Sequence, residues 1–191
     1  MDPSSHFIYS SCREMLLEHL FIGEVMSAMW KQSLRRVEML KSQVDNGGYD
    51  VVLAEGPITR YIQLKSAFVG ARAASVKINR ALADKSSGCV IWMFFDPGTL
   101  VLEHFLWFGS PPDRPFPSLD DFKIAKHVKA NAQGVKSERP NIVVIPKRRF
   151  ERLETIDGVI EKLFGTPVVS DQAVELTIES QEPASIESLR L

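Results

Sequence analysis

The first strong pattern along the chain is helical and runs from residue 10 to residue 31. At 100° per residue, three further apolar residues fall within about 60° of Leu17, namely Leu20, Phe21 and Ala28. Glu24 lies on the same stripe, and Glu18 lies at its edge. Because burying a carboxylate is costly without a partner, the pattern predicts a first helix whose inward-facing Glu24 has a partner or a function.

After this helix the pattern becomes that of strands separated by turn residues. Strands are predicted over 37–40, 49–54, 58–67, 89–95, 100–108 and 141–145, and further helices over 73–84, 118–131 and 154–164. A tight Glu-Gly-Pro connection predicts a hairpin from 49–54 and 58–67. The run 89–95 is apolar without alternation, which is typical of a strand buried on both faces. Together these elements predict an α/β fold in which helices flank a mixed central sheet.

With 191 residues, of which 45% are hydrophobic, the chain is long enough for one globular domain. We expect this domain to span 1–165 and to be followed by a flexible acidic tail over 166–191. The net charge is only −1, but the charges are unevenly distributed. The segment 123–149 carries eight Lys and Arg residues against a single Glu, whereas 167–191 carries five acidic residues against one Arg. The basic segment favours a polyanionic partner.

Several classes of protein are disfavoured by features that the sequence lacks. The longest apolar run, 89–95, is too short to span a bilayer, so we expect no membrane insertion. The first residues show no secretory signal, and two cysteines cannot build a disulfide framework, so we expect a cytoplasmic protein. The sequence contains no P-loop, dinucleotide fingerprint, zinc-ligand spacing or serine-hydrolase elbow.

Polar side chains converge on the predicted hairpin. Asp50 opens its first strand, and strand alternation puts Gln63 and Lys65 on one face of the second strand. A carboxylate, a carboxamide oxygen and an ammonium group can therefore meet across the hairpin. Oxygen ligands beside a lysine suit a hard divalent cation and the activation of a water molecule. The inward-facing Glu24 of the first helix would then have a role at the same site.

In this order of elements the chain resembles the PD-(D/E)xK nuclease superfamily. The resemblance rests on a helix that bears Glu, on Gly48-Tyr-Asp50 opening a strand, and on Gln63-Leu-Lys65 in the next strand. It covers residues 10–95 and extends to about residue 164. It implies a restriction-endonuclease-like αβββαβ core and metal-dependent hydrolysis of phosphodiester bonds, with DNA as the expected substrate, in repair or defence.

The resemblance also implies a role for each matching residue. Asp50 matches the metal-binding Asp, Gln63 matches the Glu or Asp of the x-Lys motif, and Lys65 matches its lysine. Glu24, or alternatively Glu18, matches the helical Glu of resolvase-type members. The implied ligands of Mg²⁺ or Mn²⁺ are Asp50, Gln63, the backbone carbonyl of Leu64 and Glu24. Lys65 would position the attacking water. Gln63 departs from the family pattern, because many active members carry Glu there.

The basic segment supplies a candidate surface for nucleic acid. Its residues for neutralising backbone phosphates are Lys126, Lys129, Lys136 and Arg139, and Asn131 could hydrogen-bond phosphates or base edges. A solvated basic helix end is the alternative interpretation of the same residues.

Simpler interpretations exist for the hairpin residues as well. Taken singly, Asp50 could be a turn residue and Lys65 a strand-edge lysine. The neutral Gln63 favours a second hypothesis, in which a weak or inactive nuclease-fold protein binds nucleic acid or a protein. A third hypothesis is a subunit of a homodimer or of a larger defence or repair assembly.

Overall fold

The described part of the chain forms two α-helices and nine strands. The computed structural model describes residues 9–32, 34–41, 47–112, 114–127, 134 and 136–166. The helices are α1 (Ser10–Lys31) and α2 (Ile156–Phe164). The strands are β1 (Glu38–Lys41), β2 (Val51–Glu55), β3 (Ile58–Phe68), β4 (Ser75–Asn79), β5 (Gly88–Phe95), β6 (Leu102–Gly109), β7 (Lys123–Lys126), β8 (Glu138–Pro146) and β9 (Glu151–Leu153). Short 3-10 helices span Arg80–Asp84 and Lys147–Arg149.

Six strands form one mixed sheet in the order β1-β2-β3-β5-β6-β9. β3 and β5 run parallel, with Tyr61 opposite Gly88 and Phe68 opposite Phe95, and the other neighbours run antiparallel. Every residue of β5 is buried, because both faces of the sheet are covered at this strand. The structure thus confirms the α/β class, the mixed sheet and the buried strand predicted at 89–95.

The two faces of this sheet are covered by different layers. On one face α1 and α2 bury a core that includes Phe21, Val25, Ile62, Met93 and Leu163. On the other face lies a second, three-stranded antiparallel sheet in the order β4-β8-β7. Its core residues include Ile78, Val143 and Ile145, which lie against Val90 and Phe108. The prediction of flanking helices is therefore correct for one face and wrong for the other.

Two of the predicted helices are wrong. The segment 73–84 forms β4 and a 3-10 helix, and the described part of 118–131 forms a loop and β7. In β4 burial alternates, with Ile78 buried opposite Val143 and Lys77 exposed opposite Val144. Because the segment has few apolar positions, its pattern fits the helical period and the strand period equally well. Pairing with β8 decides in favour of the strand. The structure also has β9, which was not predicted.

The first helix was predicted with the right bounds but with part of its buried face wrong. Its buried residues are Leu17, Phe21, Ile22, Val25 and Met29. Leu20, which was predicted to face the core, is exposed. Because α1 is apolar around most of its circumference, periodicity alone does not select the buried face.

The last helix agrees with its predicted range of 154–164. The Oγ1 of Thr155 accepts a hydrogen bond of 3.2 Å from the Gly158 N–H at its start, and Gly165 ends it with a φ of 78°. None of the helices in the described ranges is long and apolar enough to cross a membrane. The predicted acidic tail lies outside the described residues from residue 167 onward.

Candidate active site

β2 and β3 separate at Asp50. The Asp50 N–H donates a hydrogen bond of 2.9 Å to the Ile62 carbonyl, next to the first residue pair of the β2–β3 ladder. Beyond this point residues 63–68 of β3 pair with β5, and no other described strand pairs with them. Asp50 Oδ2 accepts a hydrogen bond of 2.6 Å from the Leu64 N–H. This bond satisfies a backbone donor that β2 no longer reaches, so a carboxylate is fixed at the open edge of β3.

Gly48 fixes the approach of the chain to Asp50. Its φ is +73°, and a Cβ at this position would lie 2.9 Å from the Asn79 Cβ and 3.0 Å from the Leu82 nitrogen. Only glycine combines this backbone conformation with so close an approach. The turn before Asp50 is therefore packed against the end of β4 and the 3-10 helix that follows it.

A cavity of about 410 Å³ lies beside the unpaired stretch of β3. Asp50, Lys65 and Ser66 line it from the sheet, and Glu14 and Glu18 line it from α1. Lys65 is half-buried and forms no ion pair with a carboxylate among the described residues. The structure thus brings the predicted Asp50, Leu64 and Lys65 to one cavity.

The carboxylate that α1 contributes to this cavity is Glu18. Its side chain is only 15% exposed, and its Oε1 accepts a hydrogen bond of 2.5 Å from Nζ of Lys41 on β1. Glu14 lies four residues earlier on the same helix face and is mostly exposed. Glu18 was the alternative choice for the helical Glu, and the geometry favours it over Glu24.

Glu24 does not belong to this cavity. It lines a separate groove between α1 and the start of α2, together with Lys31, Ile156 and Asp157. Burial raises the pKa of the Glu24 carboxyl above its usual value. The separation follows from helix geometry, because six residues turn α1 by about 600° and put Glu18 and Glu24 on different faces.

Gln63 is also turned away from the cavity. Its side chain is buried, and its Oε1 accepts a long hydrogen bond of 3.4 Å from the Asn79 N–H at the end of β4. Asn79 Oδ1 in turn accepts from the Ala81 N–H at 3.0 Å and caps the 3-10 helix. Gln63 therefore joins the two sheets, and the predicted convergence of Gln63 with Asp50 and Lys65 is not observed.

The cavity offers oxygen donors of the kind that Mg²⁺ and Mn²⁺ bind. Asp50, Glu18 and Glu14 supply carboxylates. Within the described ranges, no three His, Cys, Asp or Glu side chains form a ready-made metal cluster. Mg²⁺ is commonly held by one or two carboxylates together with waters and substrate phosphates. The donor set therefore fits such a metal as a partial site that a substrate phosphate would complete.

The predicted surface for nucleic acid belongs to the second sheet. Lys126 and Arg139 lie on paired strands, β7 and β8, and Lys136 precedes β8; all three are exposed. Lys129 and Asn131 lie outside the described residues. Two cations of the same basic segment pack on aromatic rings, with Lys147 Nζ 4.6 Å from the Phe94 centroid and Arg149 Cζ 5.2 Å from that of Phe122. The segment therefore combines exposed cations with cations that stabilise the fold.

Sequence reasoning missed Glu14, which lines the cavity, and Lys41, which hydrogen-bonds to the cavity residue Glu18. Glu14 shares a helix face with Glu18, and its spacing of four residues could have indicated this. Lys41 carried no local signal, because its contact with Glu18 depends on β1 lying beside α1. Neither a protein-family model nor a curated protein sequence matches this chain.

Proposed function

We propose that the chain is a metal-dependent nuclease of the PD-(D/E)xK type that hydrolyses phosphodiester bonds, with DNA as its first candidate substrate. One observation carries this proposal: Glu18, Asp50 and Lys65 line a single cavity at the point where β2 and β3 separate. Among the residues that the resemblance implies, these three supply the helical Glu of resolvase-type members, the strand-opening Asp and the strand Lys.

Each residue has a role that follows from its charge and position. The Lys65 ammonium, without a described carboxylate partner, can hold a phosphate oxygen and stabilise negative charge that develops on it. The Asp50 carboxylate, fixed by the Leu64 N–H, can orient a water molecule or its proton. Glu18 adds a second anionic group from α1 and is itself held by Lys41.

Mg²⁺ or Mn²⁺ is the cofactor that we propose, with Asp50 and Glu18 as its protein ligands. When bound, such a cation would polarise the phosphodiester and lower the pKa of a bound water. Gln63 and Glu24, which the resemblance suggests as ligands, have no part in this proposal, because neither lines the cavity. The exposed Lys126, Lys136 and Arg139 are the proposed phosphate contacts of the second sheet.

A nuclease-fold protein that binds nucleic acid without cutting it is the second candidate. The observation that favours it is Gln63, which is neutral and hydrogen-bonded to Asn79, so this motif position supplies neither a charge nor an oxygen ligand to the cavity. The cavity then has fewer anions than a motif with Glu implies.

The two candidates are separated by a cleavage assay on the whole chain. The purified protein is incubated with plasmid DNA, single-stranded DNA and RNA in Mg²⁺, Mn²⁺ or EDTA. Lys65→Met keeps most of the side-chain length but removes the ammonium, and we expect at least about a 100-fold loss of cleavage. Lys162→Met is the matched control, because Lys162 forms an ion pair with Glu151 away from the cavity.

Cleavage in the presence of metal that is lost in Lys65→Met and kept in Lys162→Met supports the nuclease. Binding of nucleic acid without cleavage by the wild type supports the second candidate. Metal-dependent cleavage that is equal in Lys65→Met and the wild type would exclude this cavity as the active site.

A further inference from the structure

The solvent-facing side of α1 carries almost no charge along most of its length. Between residues 15 and 30 none of the exposed residues is Asp, Glu, Lys or Arg, and five of them are large and apolar: Met15, Leu16, Leu20, Met26 and Trp30. Trp30 is 58% exposed, and Leu34, just after the helix, is 62% exposed. Large exposed apolar patches mark interaction sites in folded proteins.

Two opposite charges border this face on the same side. Glu24 and Lys31 both line the groove beside the start of α2. They are seven residues apart, about 10.5 Å along the helix axis, so they do not face each other within one chain. Lys31 forms no ion pair with a carboxylate in the described part of the chain. The groove also contains Asp157, which accepts a hydrogen bond of 2.6 Å from Gln32 Nε2.

We propose that a second copy of this chain docks on this face through α1, antiparallel and related by a twofold axis. In such a pair, the sequence numbers of any two residues that face each other add up to roughly the same value. Placing Glu24 of one copy opposite Lys31 of the other sets this sum at about 55 and forms two identical ion pairs.

The same register matches the apolar residues. It brings Trp30 of one copy against Met26 of the other, within one residue of the same sum, and it brings Leu20 close to the C-terminal end of the other copy's α1. The axis passes near Ser27 and Ala28, whose small side chains allow the two helices to approach closely. One register thus pairs opposite charges, covers exposed apolar residues and puts small residues at the centre.

The test is the mass of the full-length protein in solution, measured by sedimentation and light scattering. We expect a dimer at micromolar concentration for the wild type. Glu24→Lys puts two lysines opposite each other at both ion pairs, and Lys31→Glu puts two glutamates there. Each variant should therefore raise the dimer Kd at least about 100-fold. Mixing the two variants places a lysine opposite a glutamate at both positions again, so a mixed dimer should form.

The control for a general charge effect is Glu161→Lys, at an exposed position of α2 outside this face, which should leave the dimer intact. A wild type that stays monomeric up to about 100 µM overturns the proposal. The proposal is also overturned if the Glu24→Lys and Lys31→Glu variants form no mixed dimer although both retain the wild-type circular dichroism. A second measurement uses Ser27→Cys in a Cys12→Ser background, which should give a disulfide-linked dimer on mild oxidation. The exposed Ser75→Cys in the same background is its control.

Discussion

The Asp50 carboxylate and the Leu64 backbone N–H are joined by a hydrogen bond of 2.6 Å across the point where β2 and β3 separate. The side chain thereby takes the place of the next ladder hydrogen bond. One residue therefore has two roles, because it satisfies the freed edge of β3 and brings a negative charge to the cavity. The two roles can be separated by mutation.

Asp50→Asn keeps an oxygen that can accept from the Leu64 N–H but removes the charge. We expect at least about a 100-fold loss of metal-dependent cleavage with little change in the free energy of unfolding. Asp50→Ala should lose cleavage and, by leaving a backbone donor unsatisfied, about 1–3 kcal/mol of stability. Cleavage assays and denaturant titrations on the same preparations measure both effects. Wild-type cleavage by Asp50→Asn would contradict the proposed role of the charge.

Lys41 should compete with a divalent cation for Glu18, because its ammonium already lies 2.5 Å from Glu18 Oε1. In Lys41→Met we expect tighter binding of Mn²⁺, seen as a larger metal-induced rise in melting temperature than in the wild type. Glu18→Gln should show a smaller rise. Lys162→Met removes a remote ion pair and should match the wild type. Equal metal-induced rises in all four proteins would show that Glu18 is not a ligand.

Gln63→Glu should not create a better metal site, because Gln63 faces Asn79 and not the cavity. We expect the metal-induced rise in melting temperature to stay at the wild-type value. The buried carboxylate should cost about 1–3 kcal/mol of stability. Burial raises the pKa of a carboxyl, so this cost should be small below about pH 4 and should increase as pH rises through the ordinary Glu range. Thermal melts at about pH 4 and pH 8, with and without Mn²⁺, measure both the stability and the effect of the metal. A larger metal-induced rise in melting temperature than in the wild type would show that residue 63 is a metal ligand.

His104 should make stability depend on pH. It is buried and stacks on Phe94 with ring centroids 4.5 Å apart. Burial is the main cause that lowers its pKa, and the neighbouring Arg152 lowers it further. The folded state therefore resists protonation, so stability should fall as pH drops below the usual His value of about 6.5. The other charged groups that influence His104 are Lys147, Glu154 and Glu103.

His104→Phe keeps a ring against Phe94 and removes this titration. Between about pH 7 and pH 5 its melting temperature should fall less than that of the wild type. The exposed His127 provides the control, because His127→Gln should follow the wild-type curve. Parallel curves for all three proteins would mean that His104 does not control this pH dependence.

The exposed cations of the second sheet should make binding of nucleic acid depend on salt. Replacing Lys136 and Arg139 by Ala removes two proposed phosphate contacts. The slope of log affinity against log salt should become shallower by about 0.9 for each phosphate of duplex DNA that is no longer neutralised. Fluorescence anisotropy at several salt concentrations measures the slope, and Lys162→Ala is the control. An unchanged slope in the double variant would place the contact surface elsewhere.

The local patterns that the sequence predicted correctly were those with a strong signal. The helix at 10–31, the hairpin that contains Asp50 and Lys65, the fully buried strand and the last helix are all observed. Each has many apolar positions with one clear period or distinct turn residues at its ends. The proximity of Asp50 and Lys65 was predicted from the hairpin, because Asp50 immediately precedes β2 and Lys65 lies on the adjacent β3.

Only the tertiary structure decided the contacts between elements that are distant in sequence. Residues 75–79 form a strand because β8 offers a pairing edge. Gln63 is turned away from the cavity and accepts a hydrogen bond from the Asn79 N–H. α1 carries apolar residues on most sides, so its docking on the sheet determined that Glu18, and not Glu24, lines one cavity with Asp50 and Lys65. Periodicity specifies which residues share a face of an element, but the neighbour that covers each face depends on packing of the whole chain.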